Sequence, residues 1–193
     1  MIPPEWATRT GKWLTLDEFG QQFSKEWSRI GRRFLKLECW QAYQELDTNR
    51  SQEAYRQGDV GQAMELLREE AETDRPLYDD IRSRGIEYSR IRLVQEPLSA
   101  YLRYELLAYQ IRANLGEVIE VVRYDTARSL PNEDFFDFLL FDRHAALIHD
   151  YGAVGSQAGG WLTHAPQVLA SLESRVAEVR QAAVPLEQYL AAQ

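Results

Sequence analysis

Two stretches of the chain alternate apolar and polar residues with the two-residue period of a β-strand. They are "RRFLKLEC", where Leu35 and Leu37 share one face, and "IEYSRIRLV", where Ile91 and Leu93 do the same. The second stretch is also rich in β-branched and aromatic residues, which favours a strand. "EVIEVVRY" predicts a further strand, and "DFLLFDRHAALIHDYG" predicts one or two more. The pattern therefore indicates a sheet of four or five strands.

Helical periodicity dominates much of the remaining chain. An apolar stripe from Leu16 to Trp27 predicts a first helix, and Thr15 followed by Glu18 has the spacing of a capping box. Residues 40–84 are also predicted to be helical, with a break at "QGDVG" where one helix ends and another begins.

Two further helices are predicted in the second half of the chain. "LSAYLRYELLAYQIRANLG" gives one that ends at Gly116. The other runs from about Thr163 or Pro166 almost to the C-terminus, where Pro185 kinks or breaks it. By composition, "TARSLPNED" is predicted to be a connector and "GAVGSQAGG" a flexible loop.

The order of these elements describes an α+β domain, with a mixed α/β domain as the alternative. Its central sheet of four or five strands is flanked by helices and followed by a long C-terminal helix. A length of 193 residues fits a single domain. We predict an N-terminal arm over residues 1–14, in which Pro3 and Pro4 count against an early helix, a core domain over 15–162 and the C-terminal helix over 163–193.

Composition narrows the class of protein. The net charge of −8 and the pI of about 5.0 describe a surface that repels nucleic acid and anionic membranes over most of its area. No stretch approaches the roughly 20 apolar residues of a membrane span, and "MIPPEWATRTGKW" has no apolar run of signal-peptide length. Cys39 is the single cysteine, so we expect no internal disulfide and no cysteine-based zinc site. These features predict a cytoplasmic protein without direct nucleic-acid or membrane binding.

The sequence contains none of the strong motifs for nucleotide binding, serine hydrolysis or metalloprotease chemistry. GxGxxG, GxxxxGK[ST], GxSxG and HExxH are all absent. His144 and His149 are five residues apart, which places them on opposite faces of a strand. We therefore predict no metal site and no cofactor.

Arg90 and Arg92 form the first candidate site. On a strand they project from the same face about 7 Å apart, and two guanidinium groups at that distance can hold a phosphate or a pair of carboxylates. The alternative is that they form structural ion pairs with Glu117, Glu120 or Asp142.

The following helix supplies the second candidate site. Tyr101 and Glu105 are one turn apart and share a face, which Tyr109 continues, whereas Arg103 points in another direction. A tyrosine hydroxyl bonded to a carboxylate can relay a proton, or it can simply hold a structure together. We predict that Tyr101, Arg103 and Glu105 form a contact surface together with Arg90 and Arg92.

Asp137 and Asp142, in "NEDFFDFLLFD", form the third candidate site. Paired carboxylates that face a cleft can act as acid and base or bind a divalent cation. Aspartates at the ends of strands also cap turns, which is the structural alternative.

These same residues carry a family resemblance. The stretch "RIRLVQEPLSAYLRYELLAYQIRANLGEVIEVV", followed by "DFLLFD" and "DYG", resembles a domain of unknown function, DUF6879, that occurs in Streptomyces and related actinobacteria. "FLKLECWQAY" matches an earlier motif of that family. The resemblance covers about residues 16–155, and Leu139 departs from it because the family usually has tryptophan there. The matching positions are Phe34, Leu37, Glu38, Tyr43, Arg90, Arg92, Pro97, Leu98, Ser99, Tyr101, Arg103, Glu105, Gly116, Glu117, Asp137, Phe138, Leu140, Phe141, Asp142, Asp150 and Gly152.

The resemblance implies a genetic setting rather than a reaction. Members of the family accompany helix-turn-helix regulators in actinobacteria, which implies a regulatory or toxin–antitoxin-like role. We therefore expect a binding or regulatory accessory protein that acts through a protein partner, such as a helix-turn-helix regulator. The oligomeric state stays open.

The rival hypothesis is a phosphate-handling enzyme, either a nuclease or a nucleotide-processing enzyme. In it, Arg90 and Arg92 hold phosphate while Glu105, Asp137 or Asp142 supplies acid–base or metal chemistry. The enzyme predicts a cavity in which Arg90 and Arg92 converge with at least one of Glu105, Asp137 and Asp142. The binding protein predicts charges that pair with one another beside an exposed apolar patch.

Overall fold

A computed structural model describes residues 2–43, 49–124, 135–152 and 155–193 of the chain. These residues form one eight-stranded sheet with helices on both faces. The strands are β1 (Lys12–Thr15), β2 (Arg33–Glu38), β3 (Glu87–Gln95), β4 (Val118–Tyr124), β5 (Phe138–Phe141), β6 (Ala145–Asp150), β7 (Gly159–Thr163) and β8 (Val184–Pro185). The helices are α1 (Glu5–Thr8), α2 (Leu16–Trp27), α3 (Arg50–Arg56), α4 (Val60–Thr73), α5 (Arg75–Arg84), α6 (Ala100–Leu115), α7 (Pro166–Arg180) and α8 (Leu186–Ala191).

The order of strands across the sheet is β1-β7-β6-β5-β2-β3-β4-β8. The neighbours β2, β3 and β4 run parallel to one another, and every other neighbouring pair is antiparallel. The prediction of an α+β domain with flanking helices is confirmed, but the predicted number of four or five strands is wrong. The missed strands, β1, β7 and β8, are short, and β1 falls in the segment predicted to be an arm.

β7 begins with Gly159 and Gly160, the last two residues of the glycine-rich stretch predicted to be a loop, of which residues 153 and 154 lie outside the described part of the chain. Its glycines allow close packing. A Cβ on Gly160 would lie 2.1 Å from the carbonyl oxygen of Ile148 and 2.7 Å from a ring carbon of Phe19. A Cβ on Gly159 would lie 2.3 Å from the carbonyl oxygen of Leu14 in β1. A side chain at either position would therefore overlap a neighbouring strand or the Phe19 ring, which explains why both residues are glycine.

Each face of the sheet packs on different helices. On one face, α7 packs against apolar residues of β2 and β3 that include Leu35 and Ile91. On the other face, α2 and α5 pack against β2, β5 and β6, and α6 with α8 covers β4. Because strand residues alternate, Arg90 and Arg92 lie on the second face, opposite α7.

The helical segment predicted over residues 40–84 contains α3, α4 and α5, and the predicted break is at the expected place. Gly58 has a left-handed φ of 84°, and Asp59 caps α4 by accepting a hydrogen bond from the backbone N–H of Gln62 at 2.9 Å. Residues 44–48 of this segment lie outside the described part of the chain, as does the predicted connector at 126–134. The capping box at the start of α2 is confirmed.

The C-terminal segment is two helices rather than one. α7 ends at Arg180, Pro185 lies in the short strand β8, and α8 follows directly. At the other end of the chain, α1 begins immediately after Pro4. None of the described helices is both long and apolar enough to cross a lipid bilayer.

Candidate functional site

A cavity of about 630 Å³ lies between β2, β3 and α6, on the sheet face that carries Arg90. Helix α4, residue 151 and residues 155–157 also line it. The aromatic residues of the wall are Tyr43, Tyr101, Tyr104, Tyr109 and Tyr151. Its charged residues are Lys36, Glu38, Glu70, Arg90, Glu105 and Arg112.

Arg90 is held between two carboxylates at the floor of the cavity. Its Nε donates to Glu117 Oε1 at 2.6 Å, and its Nη1 donates to Glu38 Oε2 at 2.6 Å. The guanidinium carbon also lies 4.8 Å from the centre of the Tyr109 ring. Only 4% of the Arg90 surface is exposed, so the ion pairs form in a poorly hydrated environment.

Glu38 is the most heavily bonded of these carboxylates. Lys36 Nζ lies 2.6 Å from its Oε1, and the hydroxyl of Tyr109 donates to its Oε2 at 2.6 Å. Burial alone would raise the pKa of Glu38, but Arg90, Lys36 and Arg92 outweigh it and hold the pKa well below its usual value. Glu38 therefore stays ionised throughout the physiological pH range.

Arg92 lies directly behind the cavity wall. It is fully buried, and its Nε donates to Glu105 Oε2 at 2.7 Å. The Glu105 Oε1 atom accepts a hydrogen bond from the hydroxyl of Tyr101 at 3.2 Å. The guanidinium carbon of Arg92 lies 5.3 Å from the centre of the Tyr43 ring. Burial raises the pKa of Glu105 above its usual value, and Arg92 offsets this only in part.

Strand pairing brings these groups together. In the parallel pair of β2 and β3, Lys36 lies beside Arg90, and Glu38 lies beside Arg92. Each of the four side chains occupies alternate positions of its strand, so all of them project from the same face. Helix α6 follows Ser99, whose hydroxyl caps it, and its one-turn spacing directs tyrosines and Glu105 toward that face.

Asp137 is also buried in this region, but below the wall. Its Oδ1 accepts hydrogen bonds from the backbone N–H groups of Cys39 at 2.7 Å and Trp40 at 3.1 Å, and its Oδ2 accepts one from the Tyr43 hydroxyl. Burial raises the pKa of Asp137, while these hydrogen bonds oppose the rise. Asp137 therefore fixes the chain at the end of β2 and supports the Tyr43 ring.

Asp142 and Arg103 do not join this group. Asp142 has a left-handed φ of 49° and accepts hydrogen bonds from the three backbone N–H groups of residues 31–33, at 2.9, 3.1 and 2.7 Å. It is thus a turn cap, which was the structural alternative. Arg103 is exposed on α6 and donates to the carbonyl oxygen of Leu98 at 2.7 Å.

Of the predicted site residues, the structure brings together Arg90, Arg92, Tyr101 and Glu105. The predicted alternative pairing of Arg90 with Glu117 occurs, whereas Glu120 pairs with Arg180 at 2.7 Å. Several residues of the wall and floor were not singled out as site residues by the sequence, among them Lys36, Glu38, Tyr43 and Arg112.

His149 lies behind the same wall, in β6. Its ring stacks on Tyr151 with centroids 5.3 Å apart, its Nδ1 lies 3.2 Å from the Tyr151 hydroxyl, and Phe19 packs on it at 4.8 Å. Burial, with a smaller effect of Lys36, lowers the pKa of His149 to about 3. His149 is therefore neutral at physiological pH. Across the described residues, no three side chains of His, Cys, Asp and Glu are grouped so as to hold a metal ion.

The fold and the cavity define a single-sheet α+β domain with a tyrosine-walled cavity above buried ion pairs. The chain belongs to the family DUF6879, a domain of unknown function, whose sequence profile matches residues 21–191. The match includes α7 and α8, so the expectation that the likeness ends near residue 155 is wrong.

No curated protein matches the sequence. Among solved structures, the fold is similar to that of phosphatidylserine synthase from Haemophilus influenzae Rd KW20, with a TM-score of 0.44 and 12% sequence identity. The similarity covers 87% of this chain and 37% of the synthase. The chain thus corresponds to little more than a third of that protein's length.

Proposed function

We propose that this chain is a cytoplasmic binding protein that holds a small polar molecule in the cavity between β2, β3 and α6. The cavity volume of about 630 Å³ lies within the range of about 300–1,000 Å³ that is common for small-molecule sites. The observation that carries the proposal is the state of the charged groups that form the floor. They are bonded to one another before any ligand arrives.

Preformed ion pairs suit binding because they fix the direction of each donor and acceptor. Arg90 is held by Glu38 and Glu117, and Arg92 by Glu105, all at 2.6–2.7 Å. The entropy cost of ordering these long side chains is met in folding, so a ligand does not have to meet it again. Tyrosine rings add rigid apolar surface with hydroxyl groups at their edges.

The rival proposal, a phosphate-handling enzyme, gains support from one residue. Glu105 lies in the cavity wall and has a raised pKa, as a general acid requires. The two alternative candidates are engaged in other contacts, since Asp137 binds the chain after β2 and the Tyr43 hydroxyl, and Asp142 caps a turn. The convergence expected of an enzyme is thus met through Glu105, and we place binding first because the arginines are already paired with carboxylates.

A ligand screen tests the proposal on the wild type and on two variants in which an alanine is replaced by phenylalanine. Ala108 lies in the cavity wall on α6, whereas Ala170 is exposed on α7, on the opposite face of the sheet. Small polar metabolites are screened by thermal shift, because a ligand that binds only the folded state raises the melting temperature. We expect Ala108→Phe to abolish the shift by filling the cavity, and Ala170→Phe to retain it. A ligand that stabilises both variants equally does not bind in the cavity, and a screen without any hit contradicts the proposal.

We also propose that a protein partner, such as a helix-turn-helix regulator, senses the ligand. Arg103 supports this because it is exposed on α6, the helix whose other face lines the cavity. Co-purification with a candidate regulator tests it. Arg103→Ala is expected to weaken the complex, and Arg68→Ala, an exposed change on α4, is expected to leave it intact. Equal retention in both variants would remove α6 as the contact surface.

A further inference from the structure

Two arginines of the cavity wall keep hydrogen-bond donors that no described residue uses. Arg90 donates through Nε and Nη1 to its two glutamates, and its Nη2 has no hydrogen-bond partner among the described residues. Arg112 is about one-third exposed, and its ion pair within the described chain is a long one, 3.9 Å to Asp74 Oδ2. A guanidinium group has five N–H donors in a planar fork that matches a carboxylate or a phosphate.

The carboxylates of the cavity floor, by contrast, are already neutralised. Glu38 is paired with both Lys36 and Arg90, and Glu105 is paired with Arg92. Glu70 is the remaining acidic residue of the described wall, and it is exposed, so its side chain can turn toward solvent. An entering anion therefore meets unused cationic donors, and an entering cation meets no unpaired carboxylate at the floor.

The tyrosines form a continuous aromatic wall. The ring of Tyr43 lies 4.9 Å from that of Tyr151 and 5.6 Å from that of Tyr101, and Tyr104 lies 6.3 Å beyond Tyr101. Aromatic side chains at such spacings offer faces and edges on which a planar ring can stack. A ligand with a ring is thus accommodated beside the arginines.

We infer that the cavity binds a small organic anion, with a planar ring against the tyrosine wall and a carboxylate or phosphate on Arg112 and Arg90. This inference rests on the proposed function and adds the chemical class of the ligand. The anionic group accepts hydrogen bonds from the free edges of the two guanidinium groups. Arg90 lines the cavity, and its two preformed pairs hold the guanidinium group in place.

Calorimetric titration with four probes tests the inference on the intact chain. The probes are adenosine 5′-monophosphate, 4-hydroxybenzoate, adenosine and inorganic phosphate. We expect one of the two ring anions to bind more tightly than neutral adenosine and than phosphate, and to bind more weakly as salt is added. Which of the two ring anions binds distinguishes a phosphate from a carboxylate.

Arginine variants supply the matched controls. Arg112→Ala removes one charge-assisted contact and is expected to lower the affinity for the ring anion by about tenfold or more. Arg112→Lys keeps the charge without the fork and should give an intermediate affinity. Arg82→Ala removes an arginine of α5 whose side chain is 65% exposed, and it should change the affinity by less than about twofold.

The outcomes separate the inference from the proposed function. If Arg112→Ala leaves the affinity unchanged, if adenosine binds as tightly as its monophosphate, or if neither ring anion binds at millimolar concentration, the ligand class is wrong. If a neutral or cationic compound binds the wild type and not Ala108→Phe, the inference that the ligand is an anion is wrong, but the cavity is still a binding site. The absence of any ligand sensitive to Ala108→Phe would overturn both.

Discussion

Acidification of the protein tests the buried environment of His149 quantitatively. With a pKa of about 3 in the folded state and 6.5 as the ordinary value, the unfolded chain binds a proton between these limits and the folded chain does not. Stability is therefore fully present above about pH 6.5 and is lost as the pH falls toward about 3. One proton corresponds to about 1.4 kcal/mol per pH unit, so His149 alone removes about 2 kcal/mol between about pH 7.5 and about pH 5.

The measurement is a set of urea unfolding curves across this pH range for the wild type and for His149→Gln. Glutamine is neutral at every pH and can still bond to the hydroxyl of Tyr151. We expect the variant to be less stable at neutral pH but to lose about 2 kcal/mol less than the wild type on acidification to about pH 5. Carboxylates that titrate in both proteins cancel in this difference.

His164→Gln changes an exposed histidine and is the matched control, which should follow the wild type. If the His149→Gln and wild-type proteins lose the same free energy of unfolding between the two pH values, then His149 is not held neutral by burial. The description of His149 as buried behind the cavity wall would then be wrong.

Two further substitutions test the packing of β7 and the turn cap, with thermal and urea unfolding as the measurements. Gly160→Ala should lower the free energy of unfolding by about 3 kcal/mol, because its Cβ would lie 2.1 Å from the carbonyl oxygen of Ile148. Gly20→Ala in α2 has no neighbour within 4 Å and should raise the free energy of unfolding by about 0.5–1 kcal/mol. Shifts of the same sign in both variants would contradict this. Asp142→Asn keeps a residue that tolerates the left-handed conformation but loses one acceptor for the N–H groups of residues 31–33, and should cost about 1–2 kcal/mol at neutral pH. Because these N–H groups hold the pKa of Asp142 below its usual value, the cost should shrink as the pH falls through the acidic range, and a constant cost would refute the cap.

The strands that the sequence predicted are those whose burial follows from their own residues. β2 and β3 alternate apolar and polar positions, so their faces and the common direction of Arg90 and Arg92 were predictable. β7 was not predictable in this way. Gly159 and Gly160 are required by close contacts with Leu14 and Ile148, and a contact between distant segments leaves no periodic signal in the sequence. From composition alone, these glycines indicated a flexible loop.

The site was predictable to the same extent. Tyr101 and Glu105 share a helical face, so local spacing was enough to pair them. The partner Glu38 lies 52 residues before Arg90 in the chain, and only the parallel pairing of β2 with β3 brings the two together. The sequence placed Asp142 in a candidate site because a carboxylate that caps a turn and one that faces a cleft look alike in sequence.

The buried ion pairs of the cavity floor have a consequence for how the sheet is assembled. If β2 slid by one residue against β3, Glu38 would turn to the α7 face and leave Arg90, of which only 4% is exposed, with a single carboxylate. Losing one partner of a buried pair costs about 3–5 kcal/mol, a large share of the stability of a domain of this size. Apolar contacts alone would tolerate a neighbouring alignment more readily. We therefore expect the charged residues of the floor to favour the native register of β2 against β3 during folding.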